Sequence, residues 1–80
     1  MNEMEREVRT HDEEARRRIG QRIAELRRER GMTQDMLAEL TGIRRPHISR
    51  IEMGKYSVGL DTLEAIAKAF GCKVDIVLAV

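Results

Sequence analysis

Residues 42–55 read "GIRRPHISRIEMGK". Glycines stand at 42 and 54, and isoleucines recur at 43, 48 and 51. Ile48 and Ile51 are three apart, so a helix here would turn both toward one neighbour. Pro46 fits a helix only in its first turn, where its missing N–H leaves no hydrogen bond unmade. The spacing therefore predicts a helix from Arg45 to Glu52, entered through Arg44 and closed at Gly54. One face meets a core. The other begins with Arg44 and Arg45, and the question is what that charged end touches.

Just upstream, "GMTQDMLAELTGI" (31–43) predicts a shorter helix. Thr33 is placed as its N-cap, and Asp35 falls in the first turn, where negative charge suits the helix dipole. Met36, Leu37 and Leu40 are its expected apolar face, and Gly42 stops it in a left-handed turn. Ala38 supplies the small residue a close helix crossing needs. Two short helices divided by "TGI" (41–43), sharing Leu37, Ile48 and Ile51 as a core, define a helix-turn-helix geometry.

Working outward, Ala15, Ile19, Ile23 and Leu26 form one helical stripe between Glu14 and Arg30, with Gly31 as its stop. Residues 55–59, "KYSVG", read as a loop. "LDTLEAIAKAFG" (60–71) predicts a further helix with Leu60, Leu63, Ile66, Ala67 and Phe70 inward. The tail "KVDIVLAV" (73–80) alternates instead, with Val74, Ile76, Leu78 and Val80 on one side, and reads as a strand. A single chain offers it no partner strand, and an unpaired apolar edge invites aggregation. The expected solution is the same strand of a second copy, antiparallel across a two-fold axis. A fifth helix is the alternative. Residues 1–14 are expected to be a charged arm, 15–72 the helix-turn-helix domain, and 73–80 the dimerisation strand.

Eighty residues make one small domain, whose limited core is built almost without aromatics: one Phe, one Tyr and no Trp. The single cysteine, Cys72, excludes an internal disulfide framework and a multi-cysteine zinc site, and fits a reducing, cytoplasmic setting. No apolar run reaches the roughly 18–20 residues of a membrane helix, and the charged residues 2–18 do not read as a signal peptide. His11 and His47 lack metal-ligand spacing. No Ser/His/Asp or Cys/His set and no phosphate-cradling glycine loop is present, so neither an enzyme nor a cofactor is expected. Net charge is only +1, but it is segregated. Residues 1–14 carry six acids against two arginines, whereas residues 15–31 carry seven arginines against two acids. Basic blocks at 15–31 and 43–56 flank an acidic one, which points to a polyanion partner or, alternatively, to solvated helix faces.

The run from Ile19 to Gly71 resembles the phage repressor and Cro-type helix-turn-helix family. "GMTQDMLAELTGI", "ISRIEMGK" and "LDTLEAIAKAFG" carry the resemblance, in the family's order and spacing. It implies an all-α, compact four- to five-helix domain of lambda-repressor-like architecture, whose third helix enters the DNA major groove. It assigns base readout to Arg45, Pro46, His47, Ser49 and Arg50. Arg45 and Arg50 would fork to guanine, and Pro46 would pack on a thymine methyl. His47 is either a reader or a solvated first-turn histidine. Thr33, Gln34, Arg44 and Lys55 would hold the backbone. Arg27 and Glu52 match a partly buried ion pair with a structural role. The resemblance implies a homodimer on double-stranded DNA at a palindromic operator, a regulator and not a catalyst. Three departures stand out: loop 55–61 lacks a proline often found there, Arg44 replaces a capping Ser or Thr, and the strand-like tail replaces a fifth helix. That tail is similar to antitoxins of the same family, which adds a second expectation, a protein toxin as partner.

Overall fold

The computed structural model describes residues 12–77. Four helices follow one another: α1 (Glu13–Glu29), α2 (Gln34–Thr41), α3 (Arg45–Glu52) and α4 (Leu60–Ala69). No strand occurs among the described residues. The described domain is thus all-α.

Local chemistry sets the helix ends. Asp12 caps α1, its Oδ1 accepting from the Ala15 N–H at 3.0 Å. The helix therefore begins two residues before the boundary expected at 15. Thr33 caps α2 by accepting from the Met36 N–H at 3.1 Å. Gly42 takes φ 74, and its N–H donates to the Ala38 carbonyl at 2.9 Å, closing α2 in a left-handed cap. The Thr41 hydroxyl completes the turn: it donates to the Leu37 carbonyl at 2.7 Å and accepts from the Ile43 N–H at 3.2 Å.

Ile23, Leu37, Ile48, Ile51, Ile66 and Phe70 form the buried core. Burying each such side chain contributes about 1.5–3 kcal/mol. Helix α1 packs on α3, and α2 packs on both α3 and α4. Arg30 ties the ends of α1 and α4 together, its Nε donating to the Phe70 carbonyl at 3.0 Å. Its guanidinium also lies 5.3 Å from the centre of the Phe70 ring.

Several periodicity readings require correction. The buried side of α1 is Gly20, Ile23, Ala24 and Arg27, a rotation away from the expected Ala15–Ile19–Ile23–Leu26 stripe. Ile19 is 40% exposed. Gly20 explains the rotation, because a Cβ there would collide with the Ile51 carbonyl oxygen and lie 2.7 Å from that of Glu52. Only a glycine lets α1 lie directly on the end of α3. Of the apolar face read into α2, only Leu37 is buried; Met36 and Leu40 are 47% and 61% exposed. Leu60, expected inward, is 64% exposed at the start of α4.

The tail, expected as a strand, has no strand pairing over its described part, residues 73–77. The Val74 N–H donates to Glu64 Oε1 at 3.0 Å and the Ile76 N–H to Asp75 Oδ1 at 2.8 Å. Val74 is half-buried and Ile76 is 93% exposed, while Leu78 and Val80 lie outside the described residues. Most of the expected arm, residues 1–11, also lies outside them.

Candidate nucleic-acid interface

Burial on one side fixes what α3 presents on the other. Ile48, Ile51 and Glu52 are buried, so the helix cannot roll. Arg44, Arg45, Pro46 and Arg50 are exposed, with His47 and Ser49 half-buried along the edge. Arg44 occupies the N-cap position without a side-chain cap hydrogen bond, and Pro46 sits in the first turn. Two cations thus crowd the positive end of a helix dipole, where an anion would be favoured by about 0.3–1 kcal/mol. A local conflict of this kind is expected where function, not stability, sets the residues.

Neighbouring elements hold two of these side chains. Asp35, in the first turn of α2, lies 3.4 Å from Arg45 Nε through its Oδ1. That contact leaves both terminal guanidinium nitrogens free to fork. His47 stacks on Tyr56 of the following loop, with ring centres 4.4 Å apart and planes tilted by 31°. The histidine is therefore packed on a ring, not freely solvated.

The residues read as backbone contacts are distributed differently. The Thr33 oxygen is used as the α2 cap. Gln34 is half-buried, and its Nε2 donates to Glu52 Oε1 at 3.0 Å. Arg44 and Lys55 are exposed.

Beneath this surface lies the ion pair. Arg27 Nε and Nη2 donate to the two Glu52 carboxylate oxygens at 2.7 and 3.0 Å, and Arg27 Nη1 donates to the Met32 carbonyl at 2.7 Å. The side chains are 10% and 6% exposed. Burial pushes the Glu52 carboxyl up, but hydrogen bonds from Arg27 and Gln34, with the charges of Arg27 and Arg28, outweigh it and hold the group below the usual carboxylate range. The hydrogen bonds that Arg27 donates to Glu52 raise the guanidinium above its ordinary value, against the opposing effect of burial. The pair joins α1 to the end of α3, and Gln34 adds the start of α2. One carboxylate thereby locks three helices in register.

Among the described residues, no cluster of His, Cys, Asp and Glu could hold a metal ion, and no helix is long and apolar enough to cross a membrane.

The geometry of α2 and α3 finds its counterpart in a family model described as helix-turn-helix, which matches residues 23–77. The chain belongs to this helix-turn-helix family. The immunity repressor protein of Bacillus phage phi105 is 42% identical over 60 residues, covering 75% of this chain. Those residues are 42% of the phage protein, so the chain spans less than half of that relative's length. Among solved structures, the restriction-modification controller protein C.AhdI from Aeromonas hydrophila superposes with a TM-score of 0.74 at 33% identity, covering 79% of this chain and 93% of that one. A toxin-antitoxin module from Streptococcus pneumoniae gives a TM-score of 0.63 at 28% identity, covering 99% of this chain and 94% of that one.

Within the helix-turn-helix domain, sequence reasoning passed over Asp35 as a partner of Arg45, and Gly20 as the close-approach residue. Gly20 carried a legible signal, since glycine inside a helix is unfavourable by about 1 kcal/mol against alanine and asks for a packing reason. Asp35 carried none, because its partner lies across a turn whose geometry the sequence does not fix.

Proposed function

We propose that the protein is a sequence-specific DNA-binding transcriptional regulator, a repressor, acting as a homodimer on a palindromic operator. The observation that carries this reading is α3 itself. Its buried side is locked by Ile48, Ile51 and Glu52, while Arg44, Arg45 and Arg50 stand free of the core, the first two at an N-terminal end where no stability argument wants a cation. Arg45 and Arg50 fork to guanine O6 and N7, each worth about 1–3 kcal/mol of discrimination. Pro46, His47 and Ser49 complete the reading edge. Thr33, Gln34, Arg44 and Lys55 hold phosphates, Gln34 through its main-chain N–H at the start of α2. Two such helices, about 34–36 Å apart, read half-sites one helical turn apart. Occluding a promoter then suffices for repression. The similarity to a phage immunity repressor supports the assignment.

The second copy is supplied by the tail. Val74, Ile76, Leu78 and Val80 pair antiparallel across the two-fold axis, with residues 73–80 as the dimerisation segment, 15–72 as the DNA-binding domain and 1–14 as a charged arm. The protein works in the cytoplasm, where its DNA is. A second reading, an antitoxin that neutralises a protein toxin and represses its own operon, is favoured by the likeness to a solved toxin-antitoxin module over nearly the whole chain.

The test is footprinting of the purified protein on the DNA upstream of its own reading frame, beside an Arg45→Ala/Arg50→Ala double variant. A protected palindrome lost in the variant supports readout by α3. Equal protection by both proteins, or none by either, sinks the reading. Co-purification of a stoichiometric protein partner that the double variant retains moves the assignment to the antitoxin.

A further inference from the structure

Helix α1 carries arginines that neither the core nor the ion pair uses. Two of them, Arg17 and Arg28, border the C-terminal end of α3. Arg17 packs directly over Gly54: a Cβ on that glycine would lie 2.6 Å from Arg17 Cγ and 2.7 Å from its Cα. Arg17, Met53 and Lys55 line one cleft of about 370 Å³. Arg28, Gln21, Gln34 and Met53 line a second of the same size, whose wall also includes Ser49. Met53 belongs to both, so the two clefts adjoin across the end of α3. Residues 17, 21 and 28 fall on one side of α1, since eleven residues make close to three turns, and they span roughly 16 Å along its axis.

Glu13 lines the first cleft and Glu25 and Glu52 the second, but Glu52 is taken up by Arg27, and the balance along the line favours an anion. Glu25 is engaged by Arg22 at 3.1 Å. Glu13 lies 4.0 Å from Arg17, with both side chains well exposed, so the attraction is weak. Among the described residues, neither Arg28 nor Lys55 has a carboxylate within ion-pair distance. The Arg28 end lies beside Gln34 at the start of α2, where the helix dipole is positive. The line also runs past Ser49 of α3. A DNA strand carries one phosphate per about 3.4 Å of helix axis, so a track of this length passes several phosphates.

We propose that Arg17 and Arg28, with Lys55, form a phosphate-binding track along α1 that grips the DNA backbone beside the segment α3 reads. The proposal rests on the DNA-binding reading above and adds a surface outside the helix-turn-helix to it. The track positions the protein and carries no sequence information.

Binding to a labelled duplex of arbitrary sequence, followed by fluorescence anisotropy, isolates phosphate contacts from base readout. Each contact contributes about −0.9 to the slope of log K against log salt, so Arg17→Gln and Arg28→Gln should each flatten the slope by about 0.9 and the double variant by about 1.8. Glutamine keeps the Arg17 stem that covers Gly54, and unchanged circular dichroism verifies the fold. Lys68→Gln, an equal loss of charge on α4 away from both clefts, should leave the slope unaltered. A double variant with the wild-type slope overturns the track while the regulator reading stands. Equal flattening by Lys68→Gln overturns it too, because the effect would then be net charge. A wild-type protein that does not bind the duplex even at low salt overturns both readings.

Discussion

Replacing Glu52 with glutamine tests the central structural claim, that one carboxylate locks three helices. The carboxylate accepts two hydrogen bonds from Arg27 and one from Gln34, at 2.7–3.0 Å, with almost no solvent access. Glutamine preserves the shape but removes the charge, and its amide NH₂ would meet donors from Arg27. The guanidinium would keep its bond to the Met32 carbonyl yet remain buried without a counter-charge. Breaking a buried pair in this way costs about 3–5 kcal/mol. At about 0.05–0.15 kcal/mol per residue, a chain of this size has roughly 4–12 kcal/mol of stability in all, so the variant should stand near its unfolding threshold. Urea titration followed by circular dichroism at neutral pH measures the loss. Arg27→Met/Glu52→Leu supplies the complementary arm: removing both charges should recover much of the deficit, since apolar replacement of a buried pair is often neutral or stabilising. A Glu52→Gln loss below about 1 kcal/mol, the value expected of an exposed pair, would refute the reasoning. So would a double variant as unstable as the sum of its singles.

Other consequences follow from particular contacts. Because Glu52 is held below the ordinary carboxylate range, its contribution is complete above the unfolded-chain value of about 4.3 and is lost as pH falls through the lower folded value. Urea midpoints should therefore fall more steeply on acidification in the wild type than in Arg27→Met/Glu52→Leu. Gly20→Ala should destabilise by about 1–3 kcal/mol in thermal or urea unfolding, even though alanine is the better helix former, because its methyl group meets backbone and not a mobile side chain. Asp35→Asn removes an acid beside the proposed reading edge and frees Arg45. On the proposed readout, affinity for arbitrary DNA should then rise while discrimination at the base pair assigned to Arg45 falls, both measurable by anisotropy. Tyr56→Ala should remove an aromatic contact worth about 0.5–1.5 kcal/mol and shift the His47 ring protons downfield in NMR spectra as the ring current is lost.

The helices from Gln34 to Ala69 and their ends are legible in the chain alone. Thr33, Gly42, Pro46 and Gly54 act through the backbone of their immediate neighbours, so their effect is legible without the fold. The chain alone also shows which side of α3 is buried, because Ile48 and Ile51 leave that short helix a single inward side. The rotation of α1, by contrast, is set by packing. Helical periodicity locates an apolar side to within a residue or so, but Gly20 against the Ile51 carbonyl, and Arg27 reaching Glu52, settle which residues face α3. The same holds for Met36, Leu40 and Leu60. They match a helical pattern, yet α2 and α4 are so short that one or two buried residues each suffice to dock them. The links along the exposed side of α3, Asp35 to Arg45 and His47 to Tyr56, join residues nine or more positions apart. Distances across a turn depend on how two helices cross, and that angle is a property of the packed core, written in no single stretch of the chain.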